Sequence, residues 1–203
     1  MLKSIGLLIL LLPAALIAQN PRSASGGEAS LWAGGEVSYF NTGYGCAGNW
    51  LWDCAKLDQV GVGAFTDFNL TRKFGAEGEA RWLHWNGLGG MVESNYVLGP
   101  RYRVYGKGPV SFWVKTLFGG GWITTPNYPE VGSLKGSFFM YAPGGSVEYR
   151  LTHQIALRAE YEYQIWPSFQ APTTYSGSRA AEHNGPLTPN GVSVGVAWRF
   201  LGQ

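Results

Sequence analysis

Residues 154–166 read QIALRAEYEYQIW. Arg158, Glu160 and Glu162 fall on one parity of this stretch, and Leu157, Tyr161 and Ile165 fall on the other. A strand points successive side chains to opposite faces, so an extended backbone here carries charge on one face and apolar bulk on the other. A helix would spread the same residues around its circumference. The alternation selects a β-strand whose two faces differ sharply in polarity.

The same pattern recurs along the chain. The acidic residues of strand-like segments are Glu36, Asp67, Glu77, Glu79, Glu93, Glu148, Glu160 and Glu162. The basic ones are Arg81, Arg101, Arg103, Lys115, Arg150, Arg158 and Arg199. Across the pleat from them stand Val62, Phe68, Trp82, Tyr96, Tyr102, Phe112, Phe139, Tyr149, Val194, Val196 and Trp198. The signs nearly balance, eight against seven, as an interior charge network requires if no charge is to be buried unpaired.

Of 203 residues only 14% are charged, against about 25% in a typical soluble domain. Aromatics reach 15%, and the formal net charge is +2. Nothing in this balance points to a nucleic-acid partner. Lys3 followed by the apolar run 5–17, with small Ala18 before Gln19, reads as a secretory signal peptide over residues 1–18. A polar linker over 19–30 and a barrel domain over 31–203 are then expected. Cys46 and Cys54, the only cysteines, lie close together in GYGCAGNWLWDC. In an oxidising compartment a loop disulfide is expected. A metal pair is the alternative, but no His is nearby and two thiolates do not make a zinc site.

Eight strands are expected, over residues 31–40, 59–70, 74–85, 93–105, 110–123, 137–151, 154–166 and 191–200. Each has the length of a tilted membrane-crossing strand, about 9–11 residues or more. Connections alternate: short at 71–73, 106–109 and 152–153, longer at 41–58, 86–92, 124–136 and 167–190. Short turns on one side and long loops on the other are the outer-membrane arrangement, with long loops outside the cell and both termini in the periplasm.

The hairpins FNLTRKFGAEGEARWLHW and YRLTHQIALRAEYEYQIWP, the strand SNYVLGPRYRVYG and the closing strand GVSVGVAWRF together resemble the small OmpA-type outer-membrane β-barrel proteins. The likeness spans residues 31–200. It implies a closed, eight-stranded antiparallel up-and-down barrel in contact with outer-membrane lipid. In the closing strand Val192, Val194, Val196, Trp198 and Phe200 alternate with small or polar residues. The resemblance implies that this strand, with Trp198 and Phe200, is the signal read by the barrel-assembly machinery. No cell-wall-binding domain is expected after the barrel.

A soluble lipocalin-like barrel would turn the apolar face inward. Three features favour lipid outside. Aromatics cluster near strand ends (Tyr39, Phe40, Trp82, Trp85, Tyr105, Trp122, Tyr149, Trp166, Trp198, Phe200), as interfacial girdles require. Small residues (Gly61, Gly63, Gly75, Gly99, Gly144, Ser146, Ala156) share the charged face, as the narrow interior of eight strands requires. The closing aromatic strand has no evident use in a soluble barrel.

The interior charges are either a passage, which would make the protein a small-solute or ion pore, or a packed plug that closes the lumen. Eight strands leave room for little beyond side chains, so the plug is expected. An acyl hydrolase at the rim would use His84 with Ser94 and Glu93, but WLHWNG has no Ser two residues after the His. A place for His84 in the aromatic belt is the simpler reading, and no catalytic residue is assigned. The glycine runs LFGGGW and APGGS lack the Lys-Ser/Thr of a phosphate loop. No cofactor or metal ligand set is expected. The long loops, with Tyr44, Trp50 and Trp52 in the first, are the candidate contact for a surface ligand. A closed barrel has no open edge, so a monomer is expected.

Overall fold

The computed structural model describes residues 29–41, 58–85, 91–124, 135–169 and 186–202. The N-terminal segment, both cysteines and most of each long connection lie outside the described residues. Eight strands alternate with no helix among the described residues: β1 (Ser30–Asn41), β2 (Asp58–Asn69), β3 (Phe74–Trp85), β4 (Met91–Lys107), β5 (Val110–Thr124), β6 (Lys135–Arg150), β7 (Ile155–Tyr163) and β8 (Asn190–Leu201). Each pairs antiparallel with its sequence neighbours, and β8 closes on β1 to complete a barrel. The termini of the barrel and the three short turns share one end, here the turn end. The four longer connections share the other, the loop end.

The face assignment follows the parity of the sequence. Val62, Val194, Leu98 and Phe139 stand 55–64% exposed on the outer wall, while Glu77, Arg81, Arg101 and Glu162 are buried inside. At the loop end Trp82 Nε1 donates to the Tyr96 hydroxyl (3.0 Å), and the Tyr96 ring meets Trp122 edge-on at 5.4 Å. At the turn end Phe74 packs on Tyr102 and Tyr105 on Phe112. An apolar band rimmed by aromatics at both ends is the exterior of a membrane barrel.

Two expected girdle residues are not on the girdle. Phe40 and Trp166 are fully buried in the lumen. Their parity explains it: Phe40 follows Glu36 and Ser38 on the inner face of β1, and Trp166 follows Glu160 and Glu162. The side chain of Trp85 lies outside the described residues. The seventh strand also ends earlier than expected, at Tyr163. Beyond it only single bridges remain, Tyr141 with Ile165 and Trp166 with Leu187.

Two bulges interrupt the ladder, between Arg103 and Tyr105 on β4 and opposite Leu31/Trp32 on β1. Both lie at the turn end. Here the registers place Arg103 across from Trp113 and Arg199 across from Trp32.

Candidate functional site: the ion-paired lumen

Inward-facing side chains of seven strands fill the middle of the barrel in layers. Arg81 on β3 donates from Nε to Glu36 on β1 (3.1 Å), from Nη1 to Glu162 on β7 (2.9 Å) and from Nη2 to Glu79 (3.2 Å). Lys115 on β5 donates to Glu77 (2.7 Å) and Glu160, and lies 3.2 Å from Glu79. Arg158 on β7 pairs with Glu77 and Glu160. Arg101 on β4 pairs with Asp67 and Glu148. Since β3 and β7 lie opposite each other around the ring, the Arg81–Glu162 and Arg158–Glu77 pairs cross the lumen.

Aromatic rings hold three of these cations in place. The guanidinium carbon of Arg81 lies 4.6 Å from the Phe40 centroid, that of Arg158 4.2 Å from Phe65, and that of Arg101 3.9 Å from Trp113. Such contacts are worth about 2 kcal/mol or more when desolvated. They also fill space between the charged layers.

Among the described residues four cations (Arg81, Arg101, Lys115, Arg158) thus face seven carboxyls (Glu36, Asp67, Glu77, Glu79, Glu148, Glu160, Glu162). The other three strand cations are elsewhere. Arg103 is half-buried beside Trp113 (5.7 Å), Arg199 is half-buried over Trp32 (5.4 Å), and Arg150 is exposed at the end of β6. All three line the turn-end mouth.

Carboxylate oxygens of Glu77, Glu79 and Glu160 come within 4.8 Å of one another, close enough to hold a metal ion. The Lys115 ammonium occupies that position, within 3.2 Å of all three.

Toward the loop end the polar lining gives way. Glu93 accepts from Asn95 (3.0 Å), and Gln164 bridges Glu162 and Trp166 (2.9 and 3.1 Å). Above them Met91, Val97, Leu117, Ile123, Met140, Trp166, Phe169 and Leu187 form a buried apolar plug. Gly121 makes room for it: a Cβ there would fall 2.3 Å from the Trp166 ring. Sequence reasoning missed this plug. Its signal was the run of Met and aliphatic residues on the inner parity of β4, β5 and β6, whereas Phe169 and Leu187 belong to no strand.

His84 and Ser94 lie on the outer wall and Glu93 points into the lumen. The sheet therefore separates the third member of the triad from the other two. Trp198 and Phe200 stand on the outer wall, 47% and 62% exposed.

A family model described as an outer membrane protein beta-barrel domain matches residues 7–200. The chain belongs to this family. Several solved structures share its fold. Neisserial surface protein A aligns with a TM-score of 0.63 at 10% identity, covering 86% of this chain and 100% of that one. Ail of Yersinia pestis aligns with a TM-score of 0.51 at 16% identity, covering 86% and 99%. OprG of Pseudomonas aeruginosa aligns with a TM-score of 0.53 at 10% identity, covering 86% and 97%. At these identities the likeness shows the fold alone. No curated protein matches. As a member of the outer membrane beta-barrel family, the chain presents its apolar wall to outer-membrane lipid.

Proposed function

We propose that this outer-membrane barrel is a closed, non-conducting and non-catalytic protein with a structural or surface-interaction role. The observation that carries the reading is the lumen, crossed by ion pairs between opposite strands and capped by the apolar plug around Trp166. A solute would have to break several charge-assisted hydrogen bonds at once to pass, each about 1.5–3 kcal/mol. The placement of His84 and Ser94 on the opposite face of the sheet from Glu93 argues against a hydrolytic triad. The alternation of short turns with long connections supports periplasmic termini and external loops.

Activity then belongs to the loops, with a disulfide between Cys46 and Cys54 pinning the first of them. Binding of a surface ligand has a parallel among proteins of this fold: Ail has been solved in complex with the heparin analogue sucrose octasulfate. The test is deletion of residues 173–184 from the last loop. The reading expects an intact heat-modifiable barrel in the outer membrane and loss of whole-cell adhesion to immobilised heparin. Unchanged adhesion by the variant, with wild type adhering above a strain that lacks the protein, would remove that loop from the role.

A further inference from the structure

The turn end of the barrel opens into a vestibule of about 300 Å³, which is large enough for a small ligand. Arg72, Arg103, Arg150 and Arg199 line it, and among the described residues Glu148 is the sole acidic one in its wall. Glu148 is already engaged by Arg101. The next carboxyl inward, Asp67, is engaged by Arg101 and lies 3.6 Å from Arg158. Among the described residues no carboxylate comes within ion-pair distance of Arg103, Arg150 or Arg199.

These arginines arrive from four separate elements: the β2–β3 turn, β4, β6 and β8. Two of them sit where a bulge breaks the ladder, each across from a tryptophan. The Trp113 and Trp32 rings hold the Arg103 and Arg199 guanidiniums at the mouth. Holding like charges around one cavity is unfavourable, and a bound anion reverses the sign of that interaction. Guanidiniums present paired donors that match a phosphate edge. Hydroxyls add to the set. Thr71 Oγ1 accepts from the backbone of Lys73 and Phe74 (3.2 and 3.0 Å), so its own proton is free to donate. Ser30 lines the same wall.

We propose that the turn-end vestibule is a binding site for a phosphate group, carried either by a small soluble molecule or by a phospholipid headgroup of the adjoining leaflet. Arg103 and Arg199 form its ring-supported floor, and Arg150 with Arg72 forms its rim. The neutral plug at the opposite end and the carboxyl-rich layers between make it a dead-end pocket.

The experiment uses the full mature barrel, refolded in zwitterionic detergent and titrated calorimetrically with sodium phosphate at low ionic strength. Saturable binding is expected. It should weaken about tenfold or more in the double variant Arg150→Gln/Arg199→Gln, since each charge-assisted bond is worth about 1.5–3 kcal/mol. Lys135→Gln, at the loop end, should bind as wild type. Retention of the heat shift on gels checks that the variants fold. A second readout needs no variant: phosphate should protect vestibule arginines from phenylglyoxal, located by mass spectrometry. The source of the phosphate is resolved in nanodiscs. Protection by phosphatidylglycerol over phosphatidylcholine without added phosphate assigns a headgroup, and protection by free phosphate alone assigns a soluble ligand. No saturable binding and no protection from either source would overturn the proposal. So would binding that the double variant leaves unchanged.

Discussion

Arg81 on β3 and Glu162 on β7 meet at 2.9 Å in the middle of the barrel, both fully buried. Their strands lie on opposite walls, so the contact spans the lumen. Arg81 also serves Glu36 and Glu79, tying three strands to one guanidinium. Buried ion pairs add little net stability over an apolar core, but breaking one by removing a single partner is costly.

Arg81→Ala should therefore destabilise the barrel by about 3–5 kcal/mol, because four carboxylates lose a shared partner. Arg81→Lys should recover only part of this, since an ammonium cannot present the same fork. Urea unfolding in detergent micelles, followed by tryptophan fluorescence, measures both.

Gly99 faces the backbone of β5 at very short range. A Cβ there would stand 2.1 Å from the Thr116 carbonyl oxygen and 2.9 Å from Leu117 Cα. The β4–β5 ladder breaks at the same place, running to Leu98↔Phe118 and resuming at Arg101↔Lys115. Pro100 has no N–H to contribute to it. Gly99→Ala should cost about 1–3 kcal/mol by overpacking. Gly35→Ala, where the nearest atom to a new Cβ is 3.7 Å away, should be nearly neutral by the same assay.

The outer wall makes a different demand. Val194 lies mid-strand between Val37 and Ala159 and is 59% exposed. Val194→Arg should cost about 2–4 kcal/mol in a bilayer, and Leu151→Arg, at the turn end, about 0–1. Folding in lipid vesicles of matched thickness gives the comparison. Equal costs would mean that Val194 does not face the hydrocarbon.

Trp166 anchors the loop-end plug against Phe138 and Phe169. Trp166→Ala should cost about 3–5 kcal/mol, as read from the urea midpoint. Gly121→Val should destabilise in the same direction, because its side chain would enter the space the Trp166 ring holds.

Much of this was legible in the sequence, because parity alone separates lumen from lipid. Glu77, Glu79 and Arg81 could be placed inside from their spacing, and Trp82 outside. Phe40 and Trp166 show how a second criterion misleads: nearness to a strand end suggested the girdle, while their parity matched the charged face. What the sequence did not carry was partnership. Arg81 and Glu162 are 81 residues apart, and only the closure and stagger of the barrel bring them together. The charge balance along the chain likewise hid a division into a carboxyl-rich lumen and an arginine-lined mouth. That division follows depth in the barrel: Arg103, Arg150 and Arg199 stand near the turn ends of β4, β6 and β8, away from the mid-strand cations. The plug residues Phe169 and Leu187 take their places from a chain that turns inward after β7, beyond the reach of strand periodicity.

The closed lumen is most directly tested by single-channel recording of the refolded wild-type barrel in planar lipid bilayers. Stable insertion without resolved conductance steps is the expected result, with steps appearing only when the plug and ion pairs are removed together, as in Trp166→Ala/Arg81→Ala. Steady, ohmic, ion-selective steps from the wild-type protein would contradict the account and make the charged lumen a passage.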